Sequence, residues 1–434
     1  MDDALSPRKE AVVRAAVERG LLSEDSLLAG FIDIAGVERT VASLKADFGA
    51  NFTHTFAAKA NCLQSVLSLL RARGMGCEVA SPGELHQAIN AGFPPEMIVF
   101  DSPAKTMAEL RFALERGIAI NIDNFQEYDR VLAIVGAGQP RSVLGFRLNP
   151  QVGVGTIAAM STATRTSKFG VALDDNRDAL LQAYARHPWL TCVHTHVGSQ
   201  GCPFELIVHG VGKAVAFAEE VNKAAGHNQV TTLDIGGGLP VNFESDQVRP
   251  TFAEYAAVLR EGIPQLFSGG YRIVTEFGRS ILAKNGFMCA RVEYTKTTGG
   301  RRIAITHAGA QTATRTVFMP DMWAVRVSAV DHSGTGKFGD RVEQDVAGPC
   351  CFAGDIIARG RHLPSLDAGD YVVIHDTGAY YFSTPFQYNS LPRIAVHGFR
   401  IDDGGAVTFE LFREQESPEQ ILEATRAPNK ARSG

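Results

Sequence analysis

Lys59 closes the run Thr53-His54-Thr55-Phe56-Ala57-Ala58-Lys59, in which β-branched, aromatic and small residues alternate as in a strand. Residues 62–70 then take helical apolar spacing. A lysine at the C-terminal end of a barrel strand stands where the loops of that fold converge on one opening. Phe56, Ala57, Ala58 and Ala60 around it predict desolvation that favours the neutral amine, the form that attacks a carbonyl to make a Schiff base. A strand-end lysine pointing into water fits the same stretch.

Further stretches carry groups suited to a phosphorylated aromatic cofactor. His194 and His196 lie two apart on a strand-like run, so both rings face the same way. Such a pair is half a metal site, but no third and fourth ligand follow at suitable spacing, and no metal is expected. An imidazole covering a flat ring, with Ser199 bonded to an anion, is a second reading; a satisfied barrel histidine is the plain one. Gly236-Gly237-Gly238 strips every Cβ from a turn, where backbone N–H groups point at a phosphate or the chain simply turns. Glu276, in Glu276-Phe277-Gly278-Arg279, would pair with a protonated pyridine nitrogen, with Gly278 allowing close approach, or else with Arg279 across a rim. Two glycine-punctuated loops follow, Gly348-Pro349-Cys350-Cys351-Phe352-Ala353-Gly354-Asp355 and Asp376-Thr377-Gly378-Ala379-Tyr380-Tyr381. The first offers a thiol that either delivers a proton or merely packs.

These groups need elements to hold them, and the chain supplies a regular alternation. Strand candidates at 76–80, 97–101, 119–123, 143–148, 191–196, 232–235 and 272–276 join the Lys59 strand, most of them separated by amphipathic helical stretches. Eight such units over ~250 residues favour a parallel sheet closed as a (β/α)8 TIM-like barrel over an open doubly wound sheet. Phosphate sites in such barrels are often built by the loops after strands seven and eight, and the three glycines follow the seventh candidate. After residue 280, short alternating strands between glycine-rich turns predict an all-β domain. The expected boundaries are 1–30 for an N-terminal segment, 31–282 for the barrel and 283–434 for the β domain. The first segment reads as helical from Ser6-Pro7, with Glu10, Arg14, Glu18 and Arg19 outward, and the last ends in a polar tail from about Glu414 with a Gly/Ser/Lys/Arg-rich terminus.

Composition narrows the partners. The 434 residues are 45% hydrophobic and 21% charged, with a formal net charge of −5 and no dense run of Lys or Arg. That balance argues against nucleic acid or an anionic membrane surface. The start Met1-Asp2-Asp3 lacks a basic and then apolar leader, and no apolar run approaches the ~20 residues that span a bilayer, so a cytoplasmic protein is expected. Seven scattered cysteines without a C-x-x-C pair make neither a disulfide framework nor a zinc site.

In order along the chain, residues 56–61, 78–85, Ser167-Lys168-Phe169-Gly170, 196–200, 236–238, 276–279, the 348–355 loop and Gly378-Ala379-Tyr380 resemble the fold-type III pyridoxal-phosphate (PLP) decarboxylases. This group contains the ornithine, arginine and diaminopimelate decarboxylases, and the match runs over about residues 50–395. The resemblance implies a PLP-holding barrel, a C-terminal β-sandwich that also takes up the N-terminal segment, and a head-to-tail homodimer with shared active sites acting on a small amino acid. It gives Lys59 the Schiff base with PLP and His196 the ring face. Ser199, Gly237, Gly238 and Tyr380 take the phosphate region, and Glu276 takes the pyridine nitrogen, with Gly278 and Arg279 beside it. Cys351 from the second subunit would return a proton after carbon dioxide leaves, and Asp355 would serve at the interface in a structural or a direct role.

Departures from the pattern bear on the substrate. Diaminopimelate decarboxylases usually follow this cysteine with Glu, and ornithine decarboxylases with Asp, to meet a distal ammonium; this chain has Phe352. Met319 stands where diaminopimelate enzymes often have Tyr, and Leu391 replaces the second arginine expected in Asn389-Ser390-Leu391-Pro392-Arg393. Arg279 and Arg315 remain to clamp a carboxylate, with Asp355 and Tyr380 also lining the substrate. The expectation is PLP-dependent decarboxylation of an amino acid with a carboxylate-bearing or non-basic side chain. Diaminopimelate is the next candidate and a simple diamine precursor the third. A PLP-dependent racemase and a non-catalytic PLP-binding protein are the readings from other classes.

Overall fold

The computed structural model describes residues 3–153, 155 and 162–426; the Met1-Asp2 start and the terminus after Arg426 lie outside them. The chain divides into two units. A barrel unit takes Gly36–Asn242 and Gln247–Leu282, and a β unit takes the described parts of Met1–Ala35, Phe243–Asp246 and Ala283–Gly434.

Strand β1 (Leu28–Asp33) belongs to the β unit. The barrel unit is built on β2 (Phe52–Ala57), β3 (Gly76–Val79), β4 (Ile98–Phe100), β5 (Ala119–Ile122), β6 (Leu144–Asn149), a two-residue β7 (Val171–Ala172), β8 (Leu190–Thr195), β9 (Thr232–Asp234) and β10 (Arg272–Phe277). All pair in parallel, and because β5 bonds β6 while β10 bonds β2, eight of them close on themselves. Each strand candidate up to residue 276 is a stave of that barrel. Alternate residues point inward. Thr55, Asn121, Cys192, Thr232, Asp234 and Val274 are among those that leave a cavity of only about 30 Å³ inside, a filled core rather than a pore. Helix starts are set by caps: Ser81, Thr106, Asn124 and Thr251 each accept from the backbone N–H three residues on.

The β unit adds β11 (Gly286–Thr298), β12 (Arg301–Thr306), β13 (Val327–Val330), β14 (Arg341–Ala347), β15 (Ile356–Pro364), β16 (Tyr371–Ile374), β17 (Ala395–Ile401) and β18 (Val407–Arg413). Strand β11 pairs with β1 and β16 through its first half and with β12 through its second. The N-terminal segment is only partly helical. Helix Pro7–Glu18 starts on the Ser6 cap as the sequence predicts, but β1 follows, buried at every residue and paired on both edges. Val12, Val13 and Ala16 of the helix enter one core with Phe31, Phe287, Val373 and Phe399. Beside the strands of the expected β domain, this unit holds helix Ala310–Phe318 and, in the expected polar tail, helix Pro418–Thr425. The second buries no residue, and its start is set by the reciprocal Ser417 and Gln420 capping box rather than by an apolar stripe, so hydrophobic periodicity does not reveal it. Among the described residues no helix is long and apolar enough to cross a membrane.

Strands β6 and β8 meet so closely that a Cβ on Gly145 would stand 1.8 Å from the Cys192 carbonyl oxygen. Gly145→Ala must push the staves apart, and its thermal midpoint is expected to drop with a loss of about 3 kcal/mol, the upper end for overpacking. Gly212→Ala is the control, since a Cβ there meets nothing within 4 Å on helix Phe204–Ala225. It is expected to gain up to about 1 kcal/mol from helix propensity. Equal midpoints for the two variants would show that β6 and β8 yield without cost.

Candidate active site

The C-terminal ends of the barrel strands carry a ring of buried charge. Lys59 lies on a 3-10 turn, Ala58–Ala60, just past β2. Its Nζ donates to Glu78 Oε2 at 2.6 Å, a carboxylate at the end of β3 whose side chain is wholly buried. The apolar neighbours therefore do not leave the amine to desolvation, as the sequence suggested; the amine has a counter-ion, and its side chain keeps 39% of its surface. Register decides this, because β3 runs beside β2 with Glu78 opposite Ala57. Burial pushes the Glu78 carboxyl up to about 7 against the pull of Lys59.

Asp101, just past β4, is buried against the Arg147 guanidinium from β6. Burial opposes its ionisation, but Arg147, His194, Lys105 and Lys59 together hold its carboxyl well below the usual range. His194 on β8 is wholly buried, with Nδ1 3.2 Å from Asp234 Oδ1 and Nε2 3.7 Å from Asp101 Oδ2. His196, one residue past the strand, sets Nδ1 3.3 Å from Glu276 Oε2. Burial first, then Arg147 and Lys59, brings its imidazole down to about 3, so it is neutral at physiological pH. Glu276 is buried on β10, and its Oε1 has no partner among the described residues. Burial, with Asp234, Glu78 and Asp101 nearby, holds its carboxyl well above the ordinary range.

The glycine turn wedges into this ring. Gly236 and Gly238 hold φ of +67° and +102°, open to glycine and costly for most residues. A Cβ on Gly236 would stand 2.6 Å from His196 Nδ1, and one on Gly237 2.3 Å from the Glu276 carbonyl oxygen. No acceptor among the described residues takes the Gly238 N–H. Arg279 Nη2 reaches Ser199 Oγ at 3.5 Å, and a Cβ on Gly278 would crowd those of Ala57 and Ala60. Lys59, His196, Ser199, Gly237, Gly238, Glu276, Gly278 and Arg279 thus meet in the barrel unit. Glu78, Asp101, Arg147 and Asp234 join them with no role foreseen; the available signal was a charged residue at the end of strand after strand. Asp101, His194 and Glu276 also gather potential metal-ligand atoms within 4.8 Å, where the Arg147 guanidinium already supplies positive charge.

The remaining predicted residues lie in the β unit. Arg315, half-buried, sits 4.4 Å from the ring centroids of Trp323 and Tyr380, with no carboxylate against it among the described residues. Tyr380 holds φ of +66°, a strained backbone of the kind that collects at functional sites. Cys351 is exposed, whereas Cys350 is buried with Sγ 3.6 Å from Gln311 Oε1. Phe352 stacks on Phe318 at 5.5 Å and meets Tyr388 edge-on at 5.6 Å. Of the two roles the sequence leaves open for Asp355, its contacts are those of a structural one: its two oxygens accept from Ala310 N and Cys350 N, each at 2.6 Å, and so anchor the 348–355 loop.

Known proteins share this architecture. Residues 34–283 match the family described as "Pyridoxal-dependent decarboxylase, pyridoxal binding domain". A diaminopimelate decarboxylase of Zymomonas mobilis subsp. mobilis is 32% identical over 349 residues, 78% of this chain and 79% of that one. Another, of Archaeoglobus fulgidus, is 29% identical over 401 residues, 90% and 91% of the two chains. The crystal structure of diaminopimelate decarboxylase from Helicobacter pylori complexed with L-lysine gives a TM-score of 0.81 at 26% identity, covering 94% of this chain and 98% of that one.

A glutamate whose carboxyl is raised on folding holds a proton that the unfolded chain has released, so stability falls as pH rises from the ordinary glutamate range to about 7. Glu78→Gln removes that contribution. In urea melts of the ligand-free protein, the variant is expected to exceed the parent by about 1–3 kcal/mol near pH 8, with the advantage shrinking towards pH 5. An advantage that is the same at both would mean that Glu78 is ionised throughout.

Proposed function

This chain belongs to the pyridoxal-dependent decarboxylases, and on that premise we propose that it removes an α-carboxylate from diaminopimelate. The observation that carries the site is Glu276, a buried carboxylate with one oxygen unpartnered among the described residues, at the barrel end that also holds Lys59. It fits a protonated ring nitrogen, and the Gly238 N–H on its Cβ-free turn fits a phosphate oxygen.

Lys59 would hold the cofactor through its amine, Glu276 and His196 its ring, and Gly237, Gly238 and Ser199 its phosphate. PLP supplies the sink for the electron pair left when carbon dioxide departs. Glu78 keeps a carboxylate on the Lys59 ammonium, where it can take up a proton as the amine is used. Neutral His196 would add no positive charge to a ring placed against it. Glu276, whose carboxyl burial holds well above the ordinary range, would share a proton with the ring nitrogen and serve as its counter-ion. The resemblance further assigns Tyr380 to the phosphate, Arg279 and Arg315 to a substrate carboxylate, and Cys351 to the proton that replaces carbon dioxide. It also supports a homodimer.

Position 352, read alone, puts a non-basic substrate first. Relatives of about 30% identity that carry the name diaminopimelate decarboxylase reverse that order. The non-basic, carboxylate-bearing amino acid is kept as the second reading because Phe352 is packed among rings and offers no acid to a distal ammonium.

The test is a visible absorbance spectrum of the purified protein and of Lys59→Ala, with carbon dioxide release followed over a panel of diaminopimelate stereoisomers, dicarboxylic amino acids, ornithine and lysine. A band lost in the variant, with fastest release from diaminopimelate, is the expected outcome. Fastest release from a dicarboxylic amino acid without the distal ammonium would favour the second reading, and preference for ornithine or lysine would overturn both.

A further inference from the structure

Asp234 lies under the glycine turn at the end of β9, buried and without a role in the reading above. Donors converge on its carboxylate: Gly236 N–H gives to Oδ1 at 3.0 Å and the Asn121 side-chain amide gives to Oδ2 at 3.0 Å. His194 Nδ1 stands 3.2 Å from the same Oδ1. We propose that Asp234 is the positioning residue of the glycine turn, pinning Gly236 so that Gly238 presents its N–H to the cofactor's phosphate group. The inference rests on the PLP-binding reading of the barrel and deepens it.

Gly236 is held on both faces of its backbone. Its N–H goes to Asp234, and its carbonyl accepts from Glu276 N at 2.8 Å. Gly237 N–H then turns towards His196 Nδ1 at 3.4 Å, and the Gly238 N–H meets no acceptor among the described residues. Burial opposes charge on Asp234, but His194, Asn121 and Gly236 hold its carboxyl below the ordinary range, so the acceptor is an anion. Three successive glycines lose more conformational entropy on ordering than any other tripeptide, and a charged acceptor two residues before the N–H it captures is the local device that opposes that loss. His194 lies between this carboxylate and the Arg147 and Asp101 pair, with Nδ1 3.2 Å from Asp234 Oδ1 and Nε2 3.7 Å from Asp101 Oδ2.

Asp234→Asn keeps the shape but leaves one accepting oxygen for two donors, the Gly236 N–H and the Asn121 amide. The full chain loaded with PLP is challenged with pyridoxal, which lacks the phosphate, and the exchange constant is read from the PLP released. Loss of a charge-assisted hydrogen bond is expected to shift exchange about tenfold towards pyridoxal. A change that only loosens the fold weakens both ligands alike, so an unchanged exchange constant overturns the proposal. If Asp234→Asn does not fold, Asn121→Ser, which frees the same carboxylate from its far side, is expected to shift exchange in the same direction, and no shift there overturns the proposal equally. A parent protein that takes up no PLP would overturn the cofactor reading instead.

Discussion

Glu78, Asp101, Asp234 and Glu276 are carboxylates taken out of water inside one barrel, and each costs several kcal/mol unless a cation or N–H donors meet it. Lys59 answers Glu78 and Arg147 answers Asp101, while Asn121 and Gly236 donate to Asp234. Deeper in the shell, Lys105 and Glu127 form a buried pair at 2.9 Å, and the same lysine donates to the Ser102 and Asn121 carbonyls. After these pairings the uncompensated acid is concentrated on Glu276, whose Oε1 has no partner among the described residues and whose carboxyl is pushed up. A cofactor that brings a ring N–H to that oxygen completes the charge balance instead of disturbing it. That is why binding and positioning cannot be separated here: the groups that would hold the ring are also those that make the barrel interior tolerable.

The β unit follows the same rule around a different loop. Asp376, at φ of +59°, is held by Lys284 at 3.0 Å and by Arg326 at 3.1 Å, so the loop that ends in strained Tyr380 starts from a pinned residue. Arg326 also pairs with Asp246, which binds Lys9 at 2.8 Å. The Lys9 ammonium donates to His375 Nδ1 at 2.8 Å, which leaves Nε2 to carry the proton towards Ser328 Oγ, and that hydroxyl donates to the Asp3 carbonyl. Burial, Lys9 and Arg326 hold His375 well below the ordinary imidazole range, consistent with that proton order. The N-terminal helix and the short Phe243–Asp246 segment are thereby secured to this unit by polar contacts as well as by the apolar face of Val12, Val13 and Ala16.

Period-two runs, helical spacing and the capping residues depend on near neighbours in the chain, and they were enough to place the barrel staves, the helix start at Ser6 and the residues at the strand ends, Lys59, His196 and Glu276 among them. The glycine turn and the Tyr380 loop were legible for the same reason, since glycine punctuation is a local property, whereas the strain at Tyr380 appears only in the structure. Pairing across the fold was not. Glu78 faces Lys59 because β3 registers beside β2, and Asp101 meets Arg147 from a strand two staves away, so the environment of the lysine reads as apolar along the chain and as an ion pair in space. Asp355 looks equally available in sequence, yet folding turns both of its oxygens onto backbone N–H groups. Residue types and their order determined the fold class and which side chains reach the barrel end; only the tertiary structure decided which charges are compensated, because Coulomb and desolvation terms act between residues that contact in space wherever they lie in the chain.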